Sequence, residues 1–251
     1  MSTHFLDLFD WQDVSGYLPE LLQGALTSVQ LTFCILALAL PCGLLLAIAR
    51  ISHARVPRLF ASAYIELIRG TPALLQLFYI YFVLPSFGIR FAPFIAGVIG
   101  LSINYSAYLA EVYRAGIEAV PKSQIAAAKA LGMSSGQTLR LIVLPQALRI
   151  VVPPLGNYAI SLFKDTSLVS IVTVKELMFT GQIVSSTNFQ YATVFTIIGA
   201  IYLSLSWPSA FVVRWLERKM GSPRHVNVST GPRWIARFRA RAKQTGNTNT
   251  I

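Results

Sequence analysis

Charge is scarce in this chain. Asp, Glu, Lys and Arg make up 12% of the 251 residues, about half the ~25% share of a soluble domain. So few polar side chains cannot cover a water-exposed surface, which excludes an ordinary soluble globule and points to the bilayer as solvent. Cysteine is as sparse. Cys34 and Cys42 sit inside one apolar run, so no disulfide framework is implied. His4, His53 and His225 lie far apart, and neither a metal-ligand cluster nor a Ser-His-Asp set is seen. A G-x-x-x-x-G-K-[ST] phosphate loop is missing too. The chain therefore reads as a non-enzyme that binds no cofactor of its own and draws its energy from elsewhere. Residues 1–20 lack Lys and Arg and carry Asp7, Asp10, Asp13 and Glu20. A signal peptide starts basic, so the first apolar run is expected to stay as an uncleaved anchor.

What the chain has is apolar length: 54% of its residues are hydrophobic and the mean hydropathy is +0.58. Five segments reach the roughly 20 residues needed to cross a bilayer: about Leu22 to Ala49, Leu59 to Leu84, Phe91 to Tyr113, Ile150 to Val172 and Tyr191 to Val213. The expected fold is an all-α integral membrane protein with five transmembrane helices. The basic residues give it a direction. Arg50, Arg55 and Arg58 follow the first span. Arg114, Lys122, Lys129, Arg140 and Arg149 separate the third from the fourth. Nine more, from Arg214 to Lys243, follow the fifth. Five crossings put all of these on one side and leave Arg90 and Lys175 on the other. The positive-inside rule then sets the N-terminus outside and the C-terminus in the cytoplasm. The same distribution accounts for the net charge of +11 without nucleic acid. The expected organisation is an outer segment over 1–20, a membrane domain over 21–219 with a cytoplasmic loop at about 115–149, and a basic tail over 220–251.

That loop is long for a connection in a compact protein, and such loops are usually functional. Residues 124–131, QIAAAKAL, are strong helix formers. Gly132 can turn left-handed at the helix end, Ser134 or Ser135 can cap a second helix, and Pro145 is expected to stop or bend it. Two short helices at an angle, the first slimmed by alanine, suit either a docking surface or a plain hairpin between spans.

The spacing of this loop resembles the cytoplasmic signature of ABC importer permeases: Glu-Ala-Ala, three residues, Gly, nine residues, Ile, one residue, Leu-Pro. The matching frame is Ala126, Ala127 and Ala128, then Gly132, then Ile142, Leu144 and Pro145. Ala126 stands where the family pattern has glutamate. The stretches YIELIRGTPALLQLFY (64–79), NYSAYLAEVYRAGIEAVPKSQ (104–124), LPQALRIVVPPLGN (144–157) and FKDTSLVSIVTVKEL (163–177) resemble the polar amino-acid branch, the histidine/glutamine/arginine/opine type. The likeness runs from about Leu21 to Lys219. It implies a pathway subunit in the bacterial inner membrane, paired with a second permease subunit, identical or homologous. Two ATPase subunits would consume ATP beneath it, and a periplasmic binding protein would deliver an amino acid or opine. The loop would be the coupling helix that docks on the ATPase.

Charges inside spans are expensive and usually line a cavity or pair. Glu66 and Arg69 share a helical face, and Gly70, Thr71 and Pro72 break the helix after them. Glu111 and Arg114 have the same spacing and read as a structural pair. Asp165, with Thr166 and Ser167, reads as part of a solute path, where the carboxylate could take the amino or guanidinium group of a cationic substrate; broken helices at the midplane are a common transporter device. Glu66, Arg69, Gly70 and Thr71 are the other candidates. The aromatic run Phe78 to Phe82 reads as packing or an interfacial belt. In the tail, Trp234, Ile235 and Phe238 share one face, which suits either a disordered segment or one lying on anionic lipid. The rival function is a secondary transporter or channel that works without an ATPase.

Overall fold

The computed structural model describes residues 11 and 13–220. The basic tail, and most of the expected outer segment, lie outside the described residues. Within them the fold is helical, with no strand. The order is α1 (Val14–Ile51), α2 (Arg55–Arg69), α3 (Ala73–Phe78), α4 (Pro93–Glu118), α5 (Lys122–Ala130), α6 (Ser135–Thr138), α7 (Leu144–Asp165), α8 (Leu177–Asn188) and α9 (Tyr191–Met220).

Four helical stretches are long and apolar enough to span by themselves: 14–51, 93–118, 135–172 and 191–220. The expected second span is different. It is a bent pair, α2 followed by α3 and its continuation to Phe87, meeting at 101°. The break falls where Gly70, Thr71 and Pro72 were expected to interrupt the helix. The fourth span also departs from expectation. Of the two outcomes expected of Pro145, a stop or a bend, the stop does not occur. A π-turn over Leu139–Val143 absorbs the hydrogen bond that proline cannot donate, and helix runs on from Ser135 to Val172. The second half of the loop is thus the foot of a span. A further helix, α8, was not foreseen. Its 12 residues cover about 18 Å, too short for a ~30 Å hydrocarbon core.

α4 is the central post, with 67% of its apolar window buried. In lipid, helices associate through close packing and polar contacts rather than hydrophobic transfer, which favours small residues at the seams. α4 follows this rule: Gly97, Gly100, Ser102, Asn104, Ser106 and Ala110 are all buried. Against it lies α1. A Cβ at Gly43 would come within 2.9 Å of the Leu109 side chain and 3.0 Å of the Ser106 carbonyl, so the α1–α4 crossing needs glycine there. Leu31, Ile35 and Ala39 of α1 join Leu101, Tyr105 and Leu109 of α4 in the main core, closed by Leu77, Leu162 and Val169. A second core gathers Leu21 and Ala25 of α1 with Leu177 of α8 and Val194 and Ile198 of α9.

Glu176 joins these outer elements. It is fully buried and caps α8, accepting from the Phe179 and Met178 amides at 2.8 and 3.0 Å. The Ser28 hydroxyl of α1 and the Tyr202 hydroxyl of α9 donate to it at 3.2 Å each. Glu176→Ala would orphan four donors and remove a cap, a cost of about 3 kcal/mol or more. In detergent-solubilised protein the expected drop in melting temperature is about 6–12 °C, read by thermal unfolding, with Glu176→Gln losing less.

Candidate functional site

The bend after α2 is braced from within. Gly70 N donates to the Glu66 carbonyl at 2.9 Å, ending α2. Carbonyls freed by the break find one partner in Gln76. Its amide nitrogen donates to the Ile68 carbonyl and the Thr71 hydroxyl at 2.8 Å each, and to the Thr71 carbonyl at 3.2 Å. Asn104 of α4 donates to the Gln76 oxygen at 3.2 Å. The corner is therefore tied to the central helix by side-chain amides, which suits backbone that leaves helical pairing inside a membrane.

The corner forms one wall of a cavity of about 520 Å³, within the ~300–1,000 Å³ range of small-molecule sites. Arg69, Gly70 and Thr71 line it from the bend, Asn104, Tyr105 and Tyr108 from α4, and Tyr158, Ser161 and Asp165 from α7. The walls are largely tyrosine. Tyr105 and Tyr158 meet edge to face with centroids 6.4 Å apart, and Tyr108 lies 6.1 Å from Tyr158. Two opposite charges reach this space. The Arg69 guanidinium lies 5.4 Å from the Tyr108 ring centre. The Asp165 carboxylate accepts from the Tyr105 hydroxyl at 2.7 Å. Among the described residues Asp165 forms no ion pair, and Arg69 pairs only with Glu111, at 3.9 Å.

The candidates named from the sequence separate here. Arg69, Gly70, Thr71 and Asp165 come together around the cavity. Glu66 does not line it. Its side chain is 73% exposed and faces Arg50 at 3.9 Å, not Arg69. Helical spacing allowed the Glu66–Arg69 pair, but Arg69 turns to Glu111 on α4 instead. Thr166 is buried, its hydroxyl donating to the Phe163 carbonyl at 2.7 Å. Ser167 is half-buried in the 3-10 turn that follows α7, and neither lines the cavity. The tyrosines, Asn104 and Gln76 were not singled out in sequence. They look like ordinary membrane-helix residues until three elements converge.

One turn further along α4 from Tyr108, Glu111 is the centre of a charge cluster. It accepts from Arg50 at 2.7 Å and from Arg114 at 2.8 and 3.2 Å. Arg114 also reaches Glu118 at 2.6 Å. Glu118 is the last residue of α4, and the loop begins just beyond it.

In the loop, α5 is anchored by one face. Ile125 packs on a small core of Val120, Val143 and Ala147, Ala128 is buried, and the Gln146 side-chain amide donates to Gln124. Ala126 and Ala127 face outward. Gly132 has φ +75°, and two reversed hydrogen bonds close the helix end: Met133 N to the Ala128 carbonyl at 3.1 Å and Gly132 N to the Lys129 carbonyl at 3.0 Å. This is a Schellman turn. No atom lies within 4 Å of a Cβ at Gly132, so glycine is demanded by conformation, not space. Ser134 caps α6 in a capping box with Gln137. Ile142 is half-buried, and Leu144 and Pro145 are exposed on the rising helix. Leu131 sits at the tip, 82% exposed.

A helical membrane protein with a broken span, a cavity lined by two opposite charges and a protruding loop has the features of a solute pathway. The chain belongs to the family described as binding-protein-dependent transport system inner membrane component, which matches residues 39–222. Among curated relatives, it is 40% identical over 216 residues to a probable amino-acid ABC transporter permease protein, y4tG, of Sinorhizobium fredii, covering 83% of this chain and 94% of that one. It is 38% identical to the glutamine transport system permease protein GlnP of Escherichia coli, covering 84% and 98%. Among solved structures, an amino acid ABC transporter crystallised with histidines superposes with a TM-score of 0.81 at 37% identity, covering 84% of this chain and 98% of that one. A chain of the MetNI methionine ABC transporter shares the fold, with a TM-score of 0.63 at 21% identity, covering 88% and 100%. The chain is a permease component of an ABC importer.

Proposed function

We propose that this permease carries zwitterionic α-amino acids across the bacterial inner membrane, with Arg69 receiving the carboxylate and Asp165 the ammonium. The cavity is the observation that carries the reading. It holds one cation and one anion, not paired to each other, between tyrosine walls. Such a site matches the two ends of a zwitterion and leaves the variable side chain against aromatic surface. Only one net-neutral pair lines it, with Glu66 turned away, so the site favours the amino-acid backbone over a purely basic cargo. The permease names carried by its relatives point the same way.

The chain works as one of two permease subunits, the second identical or homologous. Its N-terminus is periplasmic and its C-terminus cytoplasmic, which places α5 and Leu131 where two ATPase subunits can dock. A periplasmic amino-acid-binding protein loads the cavity from the other face. ATP is bound and hydrolysed in the partner subunits, and this chain supplies the path and the lever. Co-purification from membranes in mild detergent tests the assembly. A nucleotide-binding subunit and a permease pair are the expected companions. Recovery of this chain alone, under conditions that keep related complexes intact, would contradict it.

A further inference from the structure

Arg69 belongs to two places at once. It lines the cavity, yet its Nη1 points at Glu111 Oε2 from 3.9 Å, beyond hydrogen-bond range. That same oxygen takes both Arg114 hydrogen bonds, at 2.8 and 3.2 Å. Arg114 in turn bridges to Glu118 Oε2 at 2.6 Å. Glu111 keeps Arg50 at 2.7 Å on its other oxygen, so losing Arg69 does not orphan it. Arg69 is the loosest of its three cations. Glu118 ends α4, with only Ala119, Val120 and Pro121 before α5.

We propose that Arg69 reports cargo occupancy to the coupling loop through Glu111, Arg114 and Glu118. This rests on the reading of the cavity as the amino-acid site. With the cavity empty, Arg69 and Arg114 compete for one carboxylate oxygen. A cargo carboxylate draws Arg69 away, and Glu111 then holds Arg114 more fully. The Glu118 bridge runs through a separate nitrogen of the same rigid guanidinium, Nη1, so the shift of Arg114 toward Glu111 lengthens that bridge and loosens the end of α4 beside the anchored face of α5. The arrangement is a two-state competition, and a ligand shifts such an equilibrium only by its preference for one state. Here the preference has a named cause, since cargo takes Arg69 in one state only. Glu111, Arg114 and Glu118 touch no cargo and are positioning residues.

The test uses the whole transporter in lipid nanodiscs with its binding protein, and L-glutamine and L-arginine as probes. Two quantities are read: amino-acid binding to the permease cavity, and stimulation of ATP hydrolysis by amino acid. Glu118→Gln removes the far end of the run, at a side chain that is 54% exposed, away from the cavity and any core. The expected result is binding within twofold of wild type and stimulation reduced at least fivefold, the lower end of usual coupling factors. Glu118→Asp, which keeps the charge, restores part of it. Arg69→Gln loses both binding and stimulation. If Glu118→Gln leaves stimulation intact, the relay is overturned. If it loses binding as well, the run only holds the fold, and the relay is equally overturned. If wild type binds neither probe in the cavity while ATP-driven uptake persists, the cavity reading itself fails, and that outcome is separable from the others.

Discussion

Replacing Leu131 with aspartate is expected to strip the ATPase subunit from the solubilised assembly while leaving the permease folded. Leu131 follows α5 at the loop tip, 82% exposed, and packs on nothing that its loss would disturb. Its neighbours Ala126, Ala127 and Ala130 are exposed and small, so a partner surface can close over the helix and bury the leucine. Full burial of such a side chain is worth about 1.5–3 kcal/mol, and a carboxylate forced into the same pocket adds a desolvation penalty. Together these predict at least a hundredfold weaker association, measured by titrating purified ATPase subunit onto the permease. Leu131→Met should bind within about threefold, because volume and polarity are nearly kept. Equal binding by the aspartate variant would mean that the loop tip is not the docking surface.

Asp165→Asn is expected to lower amino-acid uptake ten- to a hundredfold with assembly unchanged. The amide is nearly isosteric and can still accept from Tyr105, whose hydroxyl donates to Asp165 at 2.7 Å. What it loses is the negative charge facing the cavity. A hydrogen bond to a charged group contributes about 1.5–3 kcal/mol, and this sets the range. Arg69→Gln should show a similar loss at the carboxylate end. Uptake within twofold of wild type in both variants would remove the two-charge reading of the cavity.

The apolar spans and the local structure of the loop after α4 were legible because their signals are local. A run of apolar residues, a glycine that must turn left-handed and a serine that can cap all act within a few positions. Gly132 and Ser134 do what their chemistry predicts. Pro145 does not stop its helix, because a π-turn one step earlier relieves it. The break at Gly70 to Pro72 was visible too, but its 101° angle was not. That angle depends on Gln76 and on Asn104 from another helix. The cavity was half legible. Arg69 and Asp165 stood out as charges in lipid, whereas Tyr105, Tyr108 and Tyr158 gain meaning only where α4 and α7 converge. Glu66 failed for the complementary reason. Helical spacing says which residues can meet, and competition from Arg50 and Glu111 decides which do. Glu176 and α8 were hidden because the burial of Glu176 is created by Ser28 and Tyr202, far away in sequence.

The most direct test of the account is uptake of radiolabelled L-glutamine into proteoliposomes holding the permease, its ATPase subunit and its binding protein. Uptake is expected only when ATP is present on the side of the vesicle membrane that carries the ATPase subunit, and it vanishes when that subunit is left out. Concentrative uptake by the permease alone, without nucleotide and driven by an ion gradient, would contradict it and make the chain a secondary transporter.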